Sequence, residues 1–127
     1  MKKGFTLVEI LITIVILAVL AAIAIPGFSR SRDKAAESQA VAYLRTIRTG
    51  EKMYYAKNAA YIACGDATAI RTNLGVEVTE RYYTFDVVGV AVGPPPTFLA
   101  RAIGTTHTIT LDQAGIFRKD GVVYSPN

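Results

Sequence analysis

Residues 4–26 read Gly4-Phe-Thr-Leu-Val-Glu-Ile-Leu-Ile-Thr-Ile-Val-Ile-Leu-Ala-Val-Leu-Ala-Ala-Ile-Ala-Ile-Pro26. In the 21 residues from Phe5 to Ile25 only Thr6, Glu9 and Thr13 are polar. A helix rising about 1.5 Å per residue would carry this run across roughly 30 Å, the hydrocarbon thickness of a bilayer. Glu9 does not fit a plain anchor. An ionisable side chain inside an apolar run is costly, and such a residue implies a partner for its charge.

The flanks narrow the choices. A secretory signal peptide has an apolar run of about 7–15 residues followed by a small-residue cleavage site. Here the run is longer, no Ala-x-Ala-type site followed by a polar mature start comes directly after it, and the Ala22/Ala24 spacing lies inside it. A simple anchor explains the length and the Lys2/Lys3 flank but not Glu9. The residues Lys2-Lys3-Gly4, then Phe5-Thr6-Leu7-Val8-Glu9, closely resemble the leader and cleavage site of type IV pilins and type II secretion pseudopilins.

That resemblance implies a cut between Gly4 and Phe5 and N-methylation of Phe5 by a prepilin peptidase/methylase. It also implies assembly through Phe5, Thr6, Glu9 and Pro26. Independently of the family, the cut would leave a cationic amine on Phe5, four residues from Glu9. Out of water those charges are worth far more to each other than in it. The amine can pair with its own Glu9 or with that of a neighbouring subunit. In the second arrangement the acid sets the stagger of a helical filament, as a buried polar residue sets register in a coiled coil. The plainer alternative is that Glu9 snorkels to the interface.

Outward from this stretch, 127 residues leave room for one small domain beyond the apolar helix. The net charge is +4, and without Lys2 and Lys3 it falls to +2 (12 basic against 10 acidic residues), too weak by itself to argue for nucleic acid or an anionic membrane. Lys2 and Lys3 place the N-terminus in the cytoplasm by the positive-inside rule, and everything from Ser29 onward on the far side. Pro26 predicts a kink or local opening near Ala22–Pro26. Beyond it the helical pattern resumes. Ala40, Tyr43, Leu44, Ile47, Tyr54 and Tyr55 share one face, and Glu51 falls inside that stripe and weakens it. The expectation is one helix from Phe5 to about Ala59, roughly 80 Å long.

Residues 60–81 read as an irregular connection, with a possible helical turn between Asp66 and Leu74. From Tyr82 the period changes to two. Tyr82–Val92, Thr97–Ile103 and His107–Asp112 read as strands, followed by Ile116-Phe-Arg and Val122-Val-Tyr124. Phe98, Ala100 and Ala102 share one face of the second, and Ile109 and Leu111 point inward from the third. The fold class is therefore α+β: a long N-terminal helix packed on an antiparallel sheet of three or four strands, an arrangement that resembles the pilin fold. The segments are a leader (1–4), a transmembrane or filament-core helix (5–27), an amphipathic half-helix (28–59), an αβ loop (60–81) and a sheet (82–127).

A search for catalysis returns no constellation. His107 is the sole histidine, at a strand start, and suits a surface or hydrogen-bonded role. No His/Cys pair has metal-ligand spacing, and Asp66, Glu77, Glu80, Asp86, Asp112 and Asp120 are scattered; no cofactor or metal is expected. Cys64 is the only cysteine, so no disulfide closes within the chain, unlike many family members, and its simplest role is a small buried hydrophobe. The tyrosines invite an electron-path reading, against which core packing is the simpler account. Arg30, Arg32, Lys34, Arg45 and Arg48 invite a DNA-binding reading, against which a solvated basic helix is simpler.

The reading is a non-enzymatic structural subunit. It is bitopic in the inner membrane before assembly and then part of an extracellular or periplasmic filament of identical subunits. The resemblance further implies an inner-membrane assembly platform with an ATPase, and adhesion, twitching motility or DNA uptake as outputs. The alternatives are a pseudopilin of a type II secretion system and, in another class, a membrane-anchored periplasmic binding module.

Overall fold

The computed structural model describes residues 4–126, with the backbone alone at Pro26. Its elements in chain order are α1 (Leu7–Asn58), α2 (Ala67–Leu74), β1 (Tyr83–Ala91), β2 (Thr97–Gly104), β3 (Thr108–Asp112), β4 (Phe117–Lys119) and β5 (Val122–Val123). The chain divides into two compact units, Met1–Ala35 and Ala36–Asn127.

In the first unit every described side chain is exposed. Helical conformation persists through position 26, so the local opening expected near Ala22–Pro26 does not occur. A proline removes one N–H from the ladder, and the bonds on either side keep the helix closed.

The second unit is a helix-on-sheet core. Strand order is β1-β2-β3-β4-β5, antiparallel throughout. The sheet has five strands rather than three or four, because residues 117–123 form a short terminal hairpin that extends it. The alternation read from the sequence holds: Phe98, Ala100 and Ala102 of β2 and Ile109 and Leu111 of β3 are buried. Register explains the two alanines. Ala100 lies between Val87 and Leu111, and Ala102 between Phe85 and Ile109. Small residues on the central strand, flanked by large ones, leave a trough for a helix.

That trough is filled from α1. Ala40, Val41, Leu44 and Ile47 join the buried strand residues in one cluster, with Leu44 and Ile47 wholly inaccessible. Burying each such side chain contributes about 1.5–3 kcal/mol. Tyr43 meets Phe85 edge-on at 5.4 Å between ring centroids, and Tyr61 meets Phe98 at 4.7 Å. Tyr54 and Tyr55, expected on the buried stripe, are only half-buried, whereas Glu51 is fully buried.

The connection after α1 is more ordered than its sequence suggested. Asp66 caps α2, its Oδ1 accepting the Ala69 N–H at 2.7 Å, and Gly75 closes the helix in the left-handed region at φ 67°. Just before α2, Cys64 forms an isolated bridge to Val87, with N–H to carbonyl distances of 3.1 and 2.7 Å. The β1 edge is thereby partly covered. Gly50 sits where this return meets α1: a Cβ there would lie 3.0 Å from Leu74 Cβ and from Val76 Cγ2.

Candidate assembly site at the N-terminal helix

Residues 4–6 precede the helix, and Thr6 is its N-cap. The Thr6 Oγ1 accepts the Glu9 N–H at 3.2 Å, while Glu9 Oε2 accepts both the Thr6 N–H and the Thr6 hydroxyl at 2.8 Å. This reciprocal arrangement is a capping box: the third helical residue reaches back to the cap and satisfies donors the helix cannot. A carboxylate in the first turn also suits the positive end of the helix dipole. Thr13 Oγ1 returns a bond to the Glu9 carbonyl at 2.7 Å.

The capping box was visible in the sequence as Thr6-x-x-Glu9 before an apolar run. Glu9 thus has a partner within its own chain, but only for one oxygen: among the described residues, Oε1 receives no hydrogen bond.

Beyond the cap the surface is oily all round. Leu7, Ile10, Ile14, Leu17 and Ile23 are each more than half exposed. Within the described residues this is the one helix long and apolar enough to cross a membrane, and none of its most apolar window is buried. Phe5 is 83% exposed, so the peptide that precedes it is not shielded by packing. The structure brings Thr6 and Glu9 together and places Gly4 and Phe5 just ahead of them. Pro26 is carried on the same helix, well beyond contact range. Met1, Lys2 and Lys3 of the expected leader lie outside the described residues.

The remaining candidates have structural placements. The His107 Nδ1 and Asp120 Oδ2 are 2.7 Å apart on the surface. Cys64 is buried, and burial pushes its thiol up from the ordinary value. Arg45 stacks over the Phe117 ring at 5.5 Å, and Arg48 donates twice to the Gln113 carbonyl, at 3.2 and 3.0 Å. Both line an open groove of about 550 Å³ with Thr49, Tyr124 and Ser125. Among the described residues no group of three His, Cys, Asp or Glu side chains is placed to hold a metal ion.

Residues 1–25 match the family model described as the prokaryotic N-terminal methylation motif. Over 123 residues the chain is 30% identical to the type IV wide pilus major component PilA4 of Thermus thermophilus, covering 97% of this chain and 92% of that one. The chain belongs to the type IV pilin and pseudopilin family.

Other members share less of its length. The type IV major pilin protein PilA of Myxococcus xanthus is 36% identical over 60 residues, 47% of this chain and 27% of its own. The type II secretion system core protein G of Klebsiella michiganensis is 31% identical over 86 residues, 67% of this chain and 61% of its own. No solved structure matches the chain. The α+β architecture, with its long apolar N-terminal helix, is what this family membership leads one to expect.

Proposed function

We propose that this protein is a structural subunit of a type IV pilus. It is cut between Gly4 and Phe5, N-methylated at Phe5, held in the inner membrane by residues 5–25, and polymerised through that helix. The observation that carries the reading is the exposed helix itself. The head completes its core without it, so an oily surface a bilayer long is left to be covered by lipid and then by neighbouring copies.

The geometry at Glu9 supports the assembly step. Thr6 fixes the carboxylate through Oε2, and Oε1 remains to receive a cationic amine. Helices in lipid gain little from burying leucine against leucine, so packing and one charge pair select how they align. An amine on Phe5 of an adjacent copy, bound at Oε1, would fix the axial stagger. The prepilin peptidase/methylase and an ATP-driven membrane platform are the partners this scheme requires. A periplasmic position before assembly and an extracellular one afterwards follow from it.

Mass spectrometry of the native N-terminus tests processing: loss of Met1–Gly4 and one added methyl on Phe5 is expected, and a chain still beginning at Met1 overturns the reading. Glu9→Ala should insert and be cut but yield no filaments. Normal fibres from that variant would remove the acid from the mechanism.

A second reading, a pseudopilin of a type II secretion system, is favoured by the 31% identity to the core protein G of Klebsiella michiganensis over 86 residues. Deletion separates the two. Loss of long surface fibres with secretion intact supports the pilus, and loss of secretion without loss of fibres supports the pseudopilin.

A further inference from the structure

Near the end of α1, Glu51 is wholly shielded from solvent. Its Oε2 accepts the Ile62 N–H at 3.1 Å, and its Oε1 has no hydrogen-bond partner among the described residues. No cation of the described residues forms an ion pair with it. No cation is among the groups that act on its titration, and Arg48, one turn back on α1, is held instead by the Gln113 carbonyl. From the loop comes Cys64, whose thiol feels the charges of Glu51 and Asp66. From α2, the Asn73 amide reaches toward Cys64 Sγ at 3.9 Å. From the sheet, the buried Val87 pairs its backbone with that of Cys64. On its own helix the neighbouring Lys52 is exposed to solvent.

We propose that Glu51 is a proton-operated latch: uncharged, it fastens residues 59–66 to α1, and on losing its proton it loosens them. An ionised carboxylate in a dry site with one donor and no counter-ion is costly, and water relieves that cost. Lifting the loop withdraws the Ile62 N–H and admits water, so the charged acid favours the lifted form. Burial raises the Glu51 pKa, consistent with this direction. The sign follows by linkage. The closed form holds the proton more tightly than the open one, so closure is strongest at low pH and weakens as pH rises through the closed-state pKa. Between the two pKa values the opening equilibrium grows up to tenfold per pH unit, and above the closed-state value it levels off.

The chain supplies its own reporter. Cys64 is the single cysteine, belongs to this loop and is wholly buried, so a thiol reagent reads its opening. With the full chain in detergent micelles, labelling of Cys64, corrected for thiolate fraction, and hydrogen exchange at the Ile62 amide are measured from pH 4.5 to 7.5. The wild type should open progressively as pH rises and then level off, and Glu51→Gln should stay closed and independent of pH. A flat wild-type profile, or an equally steep one in Glu51→Gln, overturns the proposal. Carbon-13 titration of the wild-type Glu51 carboxyl needs no variant: a midpoint above that of exposed glutamates supports the latch, and an ordinary midpoint overturns it.

Discussion

Lys119 Nζ donates to Glu37 Oε2 at 2.8 Å, tying β4 to α1 across 82 positions of sequence. The hydrogen bond from Lys119 holds the Glu37 carboxyl below the ordinary carboxylate range. Tyr124, beside them, is pushed up to about 12, first by burial and then by its bond to Glu37. A depressed carboxyl stabilises the fold above its unfolded pKa, and that contribution is lost as pH falls through the folded value. A raised phenol stabilises below about 10 and loses its contribution as pH rises through about 12.

Glu37→Gln and Lys119→Ala should each destabilise the head by about 0.5–1 kcal/mol near neutral pH, as expected for a partly exposed pair. The double variant should lose little more than either single one. Denaturant unfolding at pH 7 and pH 3, followed by tyrosine near-UV circular dichroism, checks this. At pH 3 the Glu37→Gln difference should shrink.

Leu44→Ala and Ile47→Ala should each cost about 2–5 kcal/mol, since both side chains are wholly buried over the alanine trough of β2. The same unfolding measurement reads the loss. Insertion of the N-terminal helix should be unaffected, because these residues belong to the other unit.

Gly50→Ala pits two effects against each other. Alanine is favoured over glycine inside a helix by about 1 kcal/mol. The new Cβ would meet Leu74 and Val76 side chains at 3.0 Å and the Leu74 carbonyl at 3.4 Å, and such overpacking costs about 1–3 kcal/mol. A net loss is expected, with exchange at residues 74–76 increasing more than elsewhere.

Asp66→Ala should destabilise α2 by about 1 kcal/mol through loss of its cap. Asp66→Asn should recover most of it, because the amide oxygen can accept the same Ala69 N–H. Hydrogen exchange at Ala69 and Ile70 distinguishes the two variants.

What was legible in the chain follows from which interactions leave a local pattern. The inward faces of β2 and β3 were readable because a one-sided sheet forces an alternation of period two, and Phe98, Ala100, Ile109 and Leu111 obey it. The apolar helix was readable because oil on all sides leaves no polar face. Glu51 falls on the buried stripe by its spacing although its type argues for solvent, and it is fully buried. The Glu37–Lys119 pair has no local signature, since it depends on how the sheet register meets a helix 82 residues away. The fourth and fifth strands show in the sequence through the turns that flank them, but at three and two residues they are too short for their pattern to say that both join the sheet. At the candidate site the Thr6-x-x-Glu9 signature is local and announces the bond between the two residues.

None of the described side chains before Ala36 is buried, so the core of the head draws on none of the side chains of the apolar segment. Each can therefore drift under its own selection. Between Phe5 and Ile25 Glu9 is the one charged residue, while the outward loops of the head are free to vary. The shared motif ends at residue 25, eleven positions before the first contact of the head, and a lineage can keep that handle while exchanging the blade.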